Sequence, residues 1–307
     1  MQLPSVATWA WIPIVIWAAF AQTIRNATQR TLVADLGTLA ATLVRFLYGL
    51  PFAAVWLLLA YQLTGTTLAW PPFGPHYAAW LLLGAVSQLV ATACLLMAMK
   101  QRNFIIGVTF SKTEVLQVGI FATLFLQELP TLLSGITMVV ATLGVVLLSM
   151  PKKLAPGAVA WSGNAAWFGL ASGACFALSS VGYRGAALAL DGTSPWLIGA
   201  WAVLLAQGLQ TVLLGGWLAL RQPGTMAAIA KAWRLSLLAG MMGALASIGW
   251  LTAVALRPAV DVRTLGLVEV LFSYLVSRQF FKERMSRKEF AGLVLVAAGV
   301  LVVCAQW

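Results

Sequence analysis

Ten membrane-spanning helices, arranged as two inverted five-helix halves, are the all-α architecture that the sequence predicts. Three observations lead there. The chain of 307 residues is 61% hydrophobic and 9% charged, against about 25% charged in an ordinary soluble domain, so a multi-spanning membrane protein is expected. A stretch occurs twice, 155 residues apart: Glu114-Val115-Leu116, Phe125, Glu128, Val139, Gly144 and Val145 return as Glu269-Val270-Leu271, Phe280, Glu283, Val294, Gly299 and Val300. Arg102 and Arg257, Ala98 and Ala253, and Leu96 and Leu251 keep the same offset. Finally, the apolar runs come five to each copy. An odd number of spans starts the second unit on the opposite side of the membrane, so the copies are inverted. Binding is then expected at the repeat interface near the midplane.

Taking about 20 apolar residues to cross the hydrocarbon core, spans are expected near 9–31, 36–62, 77–99, 104–126 and 131–150, and again near 164–188, 195–219, 234–255, 260–281 and 286–305. Pro151, Lys152, Lys153, Pro156 and Gly157 carry the signals of a linker. This divides the chain into a first five-helix unit at 1–150, a linker at 151–163 and a second unit at 164–307. Residues 1–8 contain no Lys or Arg and the first apolar run meets no small-residue cleavage site, so the first span is expected to be retained. The net charge of +11 sits mostly in short loops, where it orients the chain and meets anionic headgroups rather than nucleic acid. Lys100, Arg102, Lys152, Lys153, Arg221, Lys231, Arg234, Lys282, Arg284, Arg287 and Lys288 all fall between odd and even spans, and the opposite loops carry little besides Arg257. The positive-inside rule places the basic loops in the cytoplasm and both termini outside. Cys94, Cys175 and Cys304 are isolated within apolar segments and read as small core residues, neither a disulfide framework nor a metal site.

Trp17 in the first span precedes Arg45 in the second by 28 residues, and two short acid-bearing hairpins end Leu126-Gln127-Glu128 and Phe281-Lys282-Glu283, each followed by a Gly-rich helix. With the two five-helix halves, these features make essentially the whole chain resemble the EamA-type transporters of the drug/metabolite transporter superfamily. The resemblance implies a ten-helix, multi-pass transporter of the bacterial inner (cytoplasmic) membrane that moves small metabolites, frequently outward, through a central cavity between the repeats. It also implies cytoplasmic termini, opposite to the charge bias.

Intramembrane charge is costly and marks function by default. In the first span Gln22, Arg25, Asn26 and Gln29 recur at helical spacing and share one face, which must look onto other helices or a cavity. The alternative is a helix ending near Thr23, with Arg25 and Arg30 as loop charges. Arg45 lies deep in the second span with Thr42, Gly49 and Phe52 on its face. It would either clamp a substrate carboxylate or phosphate or pair with Glu114 or helix-end carbonyls. Glu114 and Gln117 share a face with Phe110 and Phe121. At 100° per residue Lys112 points about 160° away from Glu114, and is expected to pair with another helix as a secondary candidate.

Glu269, the counterpart of Glu114, lies with Leu265, Gly266, Phe272 and Ser273. Both glutamates are expected to couple transport to protons; the alternative is structural pairing, Glu114 with Arg45 or Arg25 and Glu269 with Arg263. Gln88 and Thr92, their counterparts Gly243 and Ser247 beside Trp250, Tyr183 with Ser172, Phe176 and Ser179, and Gln207, Gln210 and Thr211 complete a lining, although packing alone accounts for any one of them. The expected substrate-binding set is Gln22, Arg25, Arg45, Gln88, Glu114, Gln117, Tyr183, Trp250 and Glu269. Glu114 and Glu269 are its proton-coupling members, and no residue is assigned to catalysis or metal binding. Glu128 and Glu283, at hairpin ends, read as cap or headgroup-level residues rather than cavity acids. Trp70, Trp80, Trp161, Trp167 and Trp307 suit interfacial belts, and His76 receives no role.

No nucleophile elbow, phosphate loop, zinc spacing or dinucleotide fingerprint is present, so neither an enzyme nor a cofactor is expected. The sequence is read as a proton-coupled secondary transporter, an exporter of small metabolites. An amino-acid-like zwitterion satisfies both the arginines and the glutamates. Alternatives are an exporter of cationic drugs, and a lipid-linked substrate flippase or accessory membrane subunit. The expected partners are a small-molecule substrate, protons and membrane lipids, with no nucleic acid, in a monomer or homodimer.

Overall fold

A computed structural model describes residues 9–66, 70–101, 111–149, 164–280 and 287–305, and helices account for nearly all of them. In order they are α1 (Trp11–Leu36), α2 (Thr38–Leu47), α3 (Leu50–Thr64), α4 (Pro75–Gln101), α5 (Glu114–Leu126), α6 (Leu132–Ser149) and α7 (Asn164–Leu188). Then come α8 (Pro195–Gln210), a π-helical turn at Thr211–Gly215, α9 (Gly216–Arg221), α10 (Thr225–Lys231), α11 (Trp233–Leu256), α12 (Ala259–Leu265), α13 (Val268–Gln279) and α14 (Arg287–Ala305). Five segments are long and apolar enough to cross a bilayer: Thr38–Thr64, Pro75–Gln101, Asn164–Leu188, Pro195–Arg221 and Trp233–Leu256. Shorter apolar helices cover Glu114–Leu126, Leu132–Val145 and Phe290–Ala305. The expected linker, the start of the fourth span, and the loop residues Arg102, Lys152, Lys153, Lys282, Glu283 and Arg284 lie outside the described residues, as do Trp161 and Trp307.

Several expected spans are interrupted. Pro51 lacks an N–H and its ring collides with the carbonyl four residues back, so the second span divides at Tyr48-Gly49 into α2 and α3. The seventh carries the π turn between α8 and α9, a distortion frequent at functional sites. The ninth divides into α12 and α13 at Gly266-Leu267, and a turn at Lys112-Thr113 precedes α5. The two acid-bearing helices are thus broken at nearly equivalent places, just before Glu114 and Glu269. Ser111, Lys112, Thr113, Leu267 and Val268 are all buried, which is where non-helical backbone at membrane depth is tolerated.

The most extensive packing joins α4 to α7, α1 to α11 and α6 to α14. Shifting by 155 residues carries α4 onto α11, α1 onto α7 and α6 onto α14, so each of these contacts maps onto its own counterpart or itself. Small residues permit the close crossings. A Cβ on Gly182 would lie 2.6 Å from the backbone N of Gly84 across the α4–α7 contact, so helix approach there requires glycine. Val15, Ala18, Ala85, Ala177, Val181 and Ala246 belong to the apolar core formed where these helices meet. Outside it, Leu58, Leu124, Phe125, Leu220 and Leu301 stand exposed, an apolar exterior suited to lipid.

Candidate functional site

α1 continues helically past Thr23 to Leu36, and all four members of its polar stripe, Gln22, Arg25, Asn26 and Gln29, are 5% exposed or less. The stripe faces other helices, and the reading of Arg25 as a loop charge is excluded. Glu269, in the first turn of α13, receives a hydrogen bond from Gln22 Nε2 at 2.6 Å and another from Asn26 Nδ2 at 2.9 Å. Trp250 Nε1 on α11 donates to Gln22 Oε1 at 2.9 Å and so holds the amide that holds the acid.

Lys112 joins the two glutamates. Its Nζ lies 2.5 Å from Glu269 Oε2 and 3.5 Å from Glu114 Oε1. The expectation that Lys112 and Glu114 point to different surfaces is corrected by this contact: 100° per residue applies only along an unbroken helix, and the turn at Lys112-Thr113 removes that premise. Arg263 on α12 completes the group, with Nη1 3.7 Å from Glu114 Oε1, Nε donating to Ser180 Oγ at 2.7 Å, and the guanidinium 4.7 Å from the Trp250 ring centroid. The structural pairings expected from sequence are therefore not the ones formed. Arg263 meets Glu114 rather than Glu269, and Arg45 meets no carboxylate among the described residues. Both carboxylates lie at helix N-termini, where the backbone dipole favours negative charge.

The remaining arginines form a separate layer. Arg45 Nη1 donates to Thr92 Oγ1 at 2.8 Å and Nη2 to Ser247 Oγ at 3.4 Å, so the counterparts Thr92 and Ser247 grip one guanidinium from α4 and α11. Arg25 donates twice to its neighbour Asn26 Oδ1, at 3.2 and 2.6 Å. Arg25 Nη1 and Arg45 Nε are buried without a hydrogen-bond acceptor. Gly243 makes room for both side chains: a Cβ there would meet Arg45 Cγ at 2.9 Å and Arg25 Cδ at 3.3 Å. Gln29 Nε2 turns away to bond the Ala41 carbonyl at 2.6 Å.

Beside Arg45, Tyr183 Oη donates to Gln88 Oε1 at 3.0 Å, and Gln210 Nε2 donates to the same oxygen at 3.0 Å and to the Ala85 carbonyl at 2.7 Å. Thr92 in turn donates to the Gln88 carbonyl. Of the expected set, Gln22, Glu114, Trp250 and Glu269 thus lie in one connected group with Asn26, which also bonds Arg25, while Arg45, Gln88 and Tyr183 form the adjoining layer. Gln117 is not brought in: it is half-buried and bonds one turn back to Thr113 Oγ1 at 3.4 Å. Lys112, Asn26, Arg263 and Gln210 are the additions. Glu128, expected as a cap or at headgroup level, donates its backbone N–H to the Ala122 carbonyl at the end of α5, and its carboxylate accepts from Arg184 Nε at 2.8 Å; the same arginine donates to the Val254 carbonyl at 2.8 Å.

A groove of about 700 Å³ runs between α1, α11 and α13, lined by Phe20, Ile24, Leu235, Phe272 and Phe280. It uses the face of α1 opposite the polar stripe and holds none of the buried charges. The chemistry lies in the occluded polar centre instead.

Long apolar helices around a buried, charged centre at broken helices define a polytopic membrane protein of the transporter kind. Residues 163–305 match the EamA-like transporter family. That match covers the second half of the chain and points to a membrane transporter of the drug/metabolite transporter superfamily. A solved crystal structure whose name states no function is 15% identical and shares the fold, with a TM-score of 0.65 over 97% of this chain and 96% of that one. No curated protein matches the chain.

Proposed function

We propose that the protein is a secondary transporter of the bacterial cytoplasmic membrane that moves a small metabolite bearing an anionic group. In this reading, residues 1–150 and 164–307 are inverted five-helix repeats around one central site, joined by the linker at 151–163. The correspondence of the packed helix pairs under the 155-residue shift supports it.

A single observation carries the choice of an anion. Arg25 and Arg45 are 0% and 1% exposed, each has only neutral hydrogen-bond partners among the described residues, and each keeps a buried N–H nitrogen without an acceptor. Guanidinium groups in that condition suit a substrate carboxylate or phosphate, which they bind through directed N–H donors. Glu114 and Glu269 are less available to a substrate, because Lys112 already engages both. The ammonium of an amino-acid-like zwitterion, or a cationic drug, would have to displace Lys112 first. Protonation of either carboxylate would release Lys112 toward the other, which links proton uptake to a rearrangement of the two broken helices.

Purified protein in liposomes tests this with labelled anionic metabolites, with and without a pH gradient. Arg45→Gln is expected to weaken substrate binding by about 1–3 kcal/mol, the scale of hydrogen bonds to a charged group, in exchange as well as net uptake. Glu269→Gln is expected to abolish gradient-driven accumulation while exchange survives. Unchanged exchange in a folded Arg45→Gln protein removes the clamp from the mechanism.

A further inference from the structure

We infer that the substrate is a small dianion, such as a dicarboxylate or a phosphomonoester, and not a zwitterion or a monoanion. This rests on the transport reading above for its setting but on a separate quantity, the charge of the occluded centre. Arg25, Arg45, Lys112 and Arg263 are four cations, each 4% exposed or less, and Glu114 and Glu269 are two carboxylates at 2% and 1%. Four positive charges against two negative ones leave an excess of two.

Among the acids whose side chains are described, no other offsets that excess. Asp35 and Asp191 are exposed, Glu128 is bound to Arg184, and the Asp261 carboxylate accepts from Ser134 Oγ at 3.1 Å, outside the polar centre. Burying an ion without a counter-ion is unfavourable by several kcal/mol even after relaxation, and the excess here is doubled. A ligand that brings two negative charges removes it entirely. A monoanion removes half, and a zwitterion removes none.

The geometry says where the charge is wanted. The two carboxylates are both on the Lys112–Arg263 side, spanned by Lys112 and reached by Arg263, whereas Arg25 and Arg45 pass together beside Gly243 and keep unsatisfied N–H groups. The excess is therefore placed toward two adjacent guanidiniums, of which Arg25 reaches Glu269 only through Asn26. Two forked donors around one glycine suit a compact ligand whose negative charges are close together. Lys112 is the residue that makes the anion requirement strict, because by occupying both glutamates it leaves no acid free to receive a ligand cation.

The test is a matched panel on the full-length protein, read twice: binding by thermal stabilisation in detergent, and counterflow in liposomes. The probes are succinate, its monoanionic analogue succinamate, glycerol phosphate, and alanine as the zwitterion. Succinate or glycerol phosphate is expected to bind at least about tenfold more tightly than succinamate, a difference of about 1.4 kcal/mol, with alanine weakest. Which of the two dianions leads separates carboxylate from phosphate. In Arg45→Gln, which lowers the excess to one, the preference for dianion over monoanion is expected to fall below about threefold. If that variant fails to fold, the wild-type ranking alone decides. Succinamate or alanine binding as tightly as both dianions, or no binding by either dianion, overturns the inference. Dianions that bind without moving across the membrane leave the inference standing and defeat the transport reading. Alanine that moves while dianions neither bind nor move does the reverse.

Discussion

Glu114 and Glu269 occupy the same place in a duplicated scaffold, each in the first turn of a helix that restarts just before it, and yet their surroundings differ. Glu269 accepts from Gln22 at 2.6 Å and Asn26 at 2.9 Å and has Lys112 at 2.5 Å. Among the described residues Glu114 has only the longer approaches of Lys112 at 3.5 Å and Arg263 at 3.7 Å. The difference originates in α1. Where α1 presents Gln22, Arg25, Asn26 and Gln29, the corresponding positions of α7 are Ala177, Ser180, Val181 and Arg184. Lys112 likewise corresponds to Leu267. Duplication supplies two equivalent broken helices, and divergence of the residues around them makes one acid a tightly held anchor and the other a loosely held one.

Neutralising each acid in turn tests this inequality most severely. Glu269→Gln leaves Lys112 with one long contact and is expected to lower stability by about 3–5 kcal/mol, the cost of a buried charge that has lost its partner. Glu114→Gln is expected to cost about 1–2 kcal/mol, since its contacts are longer and Lys112 keeps Glu269. Denaturation in detergent measures both, and equal losses would mean that the two acids are energetically alike. Adding Lys112→Met to Glu269→Gln should recover much of the larger loss.

A smaller effect addresses the arginine layer. Gly243→Ala drives a methyl against Arg45 Cγ and Arg25 Cδ and is expected to cost about 1–3 kcal/mol through overpacking. Gly208→Ala, with open space around it, should stay within about 0.5 kcal/mol. If the two behave alike, the arginines are free to move aside. The smallest change tests the support of Glu269: Trp250→Phe removes the indole donor to Gln22 while keeping an aromatic face for Arg263, and is expected to cost about 0.5–1.5 kcal/mol.

Much of this centre is legible in the order of the residues. The spacing of Gln22, Arg25, Asn26 and Gln29 places them on one face of any continuous helix, and the exclusion of charge from hydrocarbon makes that face an inward one. The equivalence of Glu114 and Glu269, and of Thr92 and Ser247, is visible as a constant offset, and both pairs converge on the centre. The direction of Lys112 is not legible, because a helical wheel assumes a helix that continues through the residue, and this one does not. Ion-pair partners escape for a related reason: intramembrane charges must find partners, but which one each finds depends on how the helices cross.

Composition and period alone establish an all-helical membrane protein, the duplication, the rough limits of its apolar segments and the inward faces of its polar helices. Each is fixed locally, because hydrocarbon admits only satisfied backbone and penalises charge, and both constraints act residue by residue along the chain. Other features emerge only once the helices are packed: α5 starts at Glu114 and α13 one residue before Glu269, Lys112 bridges both acids, Arg263 takes Glu114, and Arg25 and Arg45 share the space beside Gly243. These depend on contacts between residues up to 247 positions apart, and the distances that set Coulomb energy and hydrogen bonding there are properties of helix packing that appear nowhere in the linear pattern.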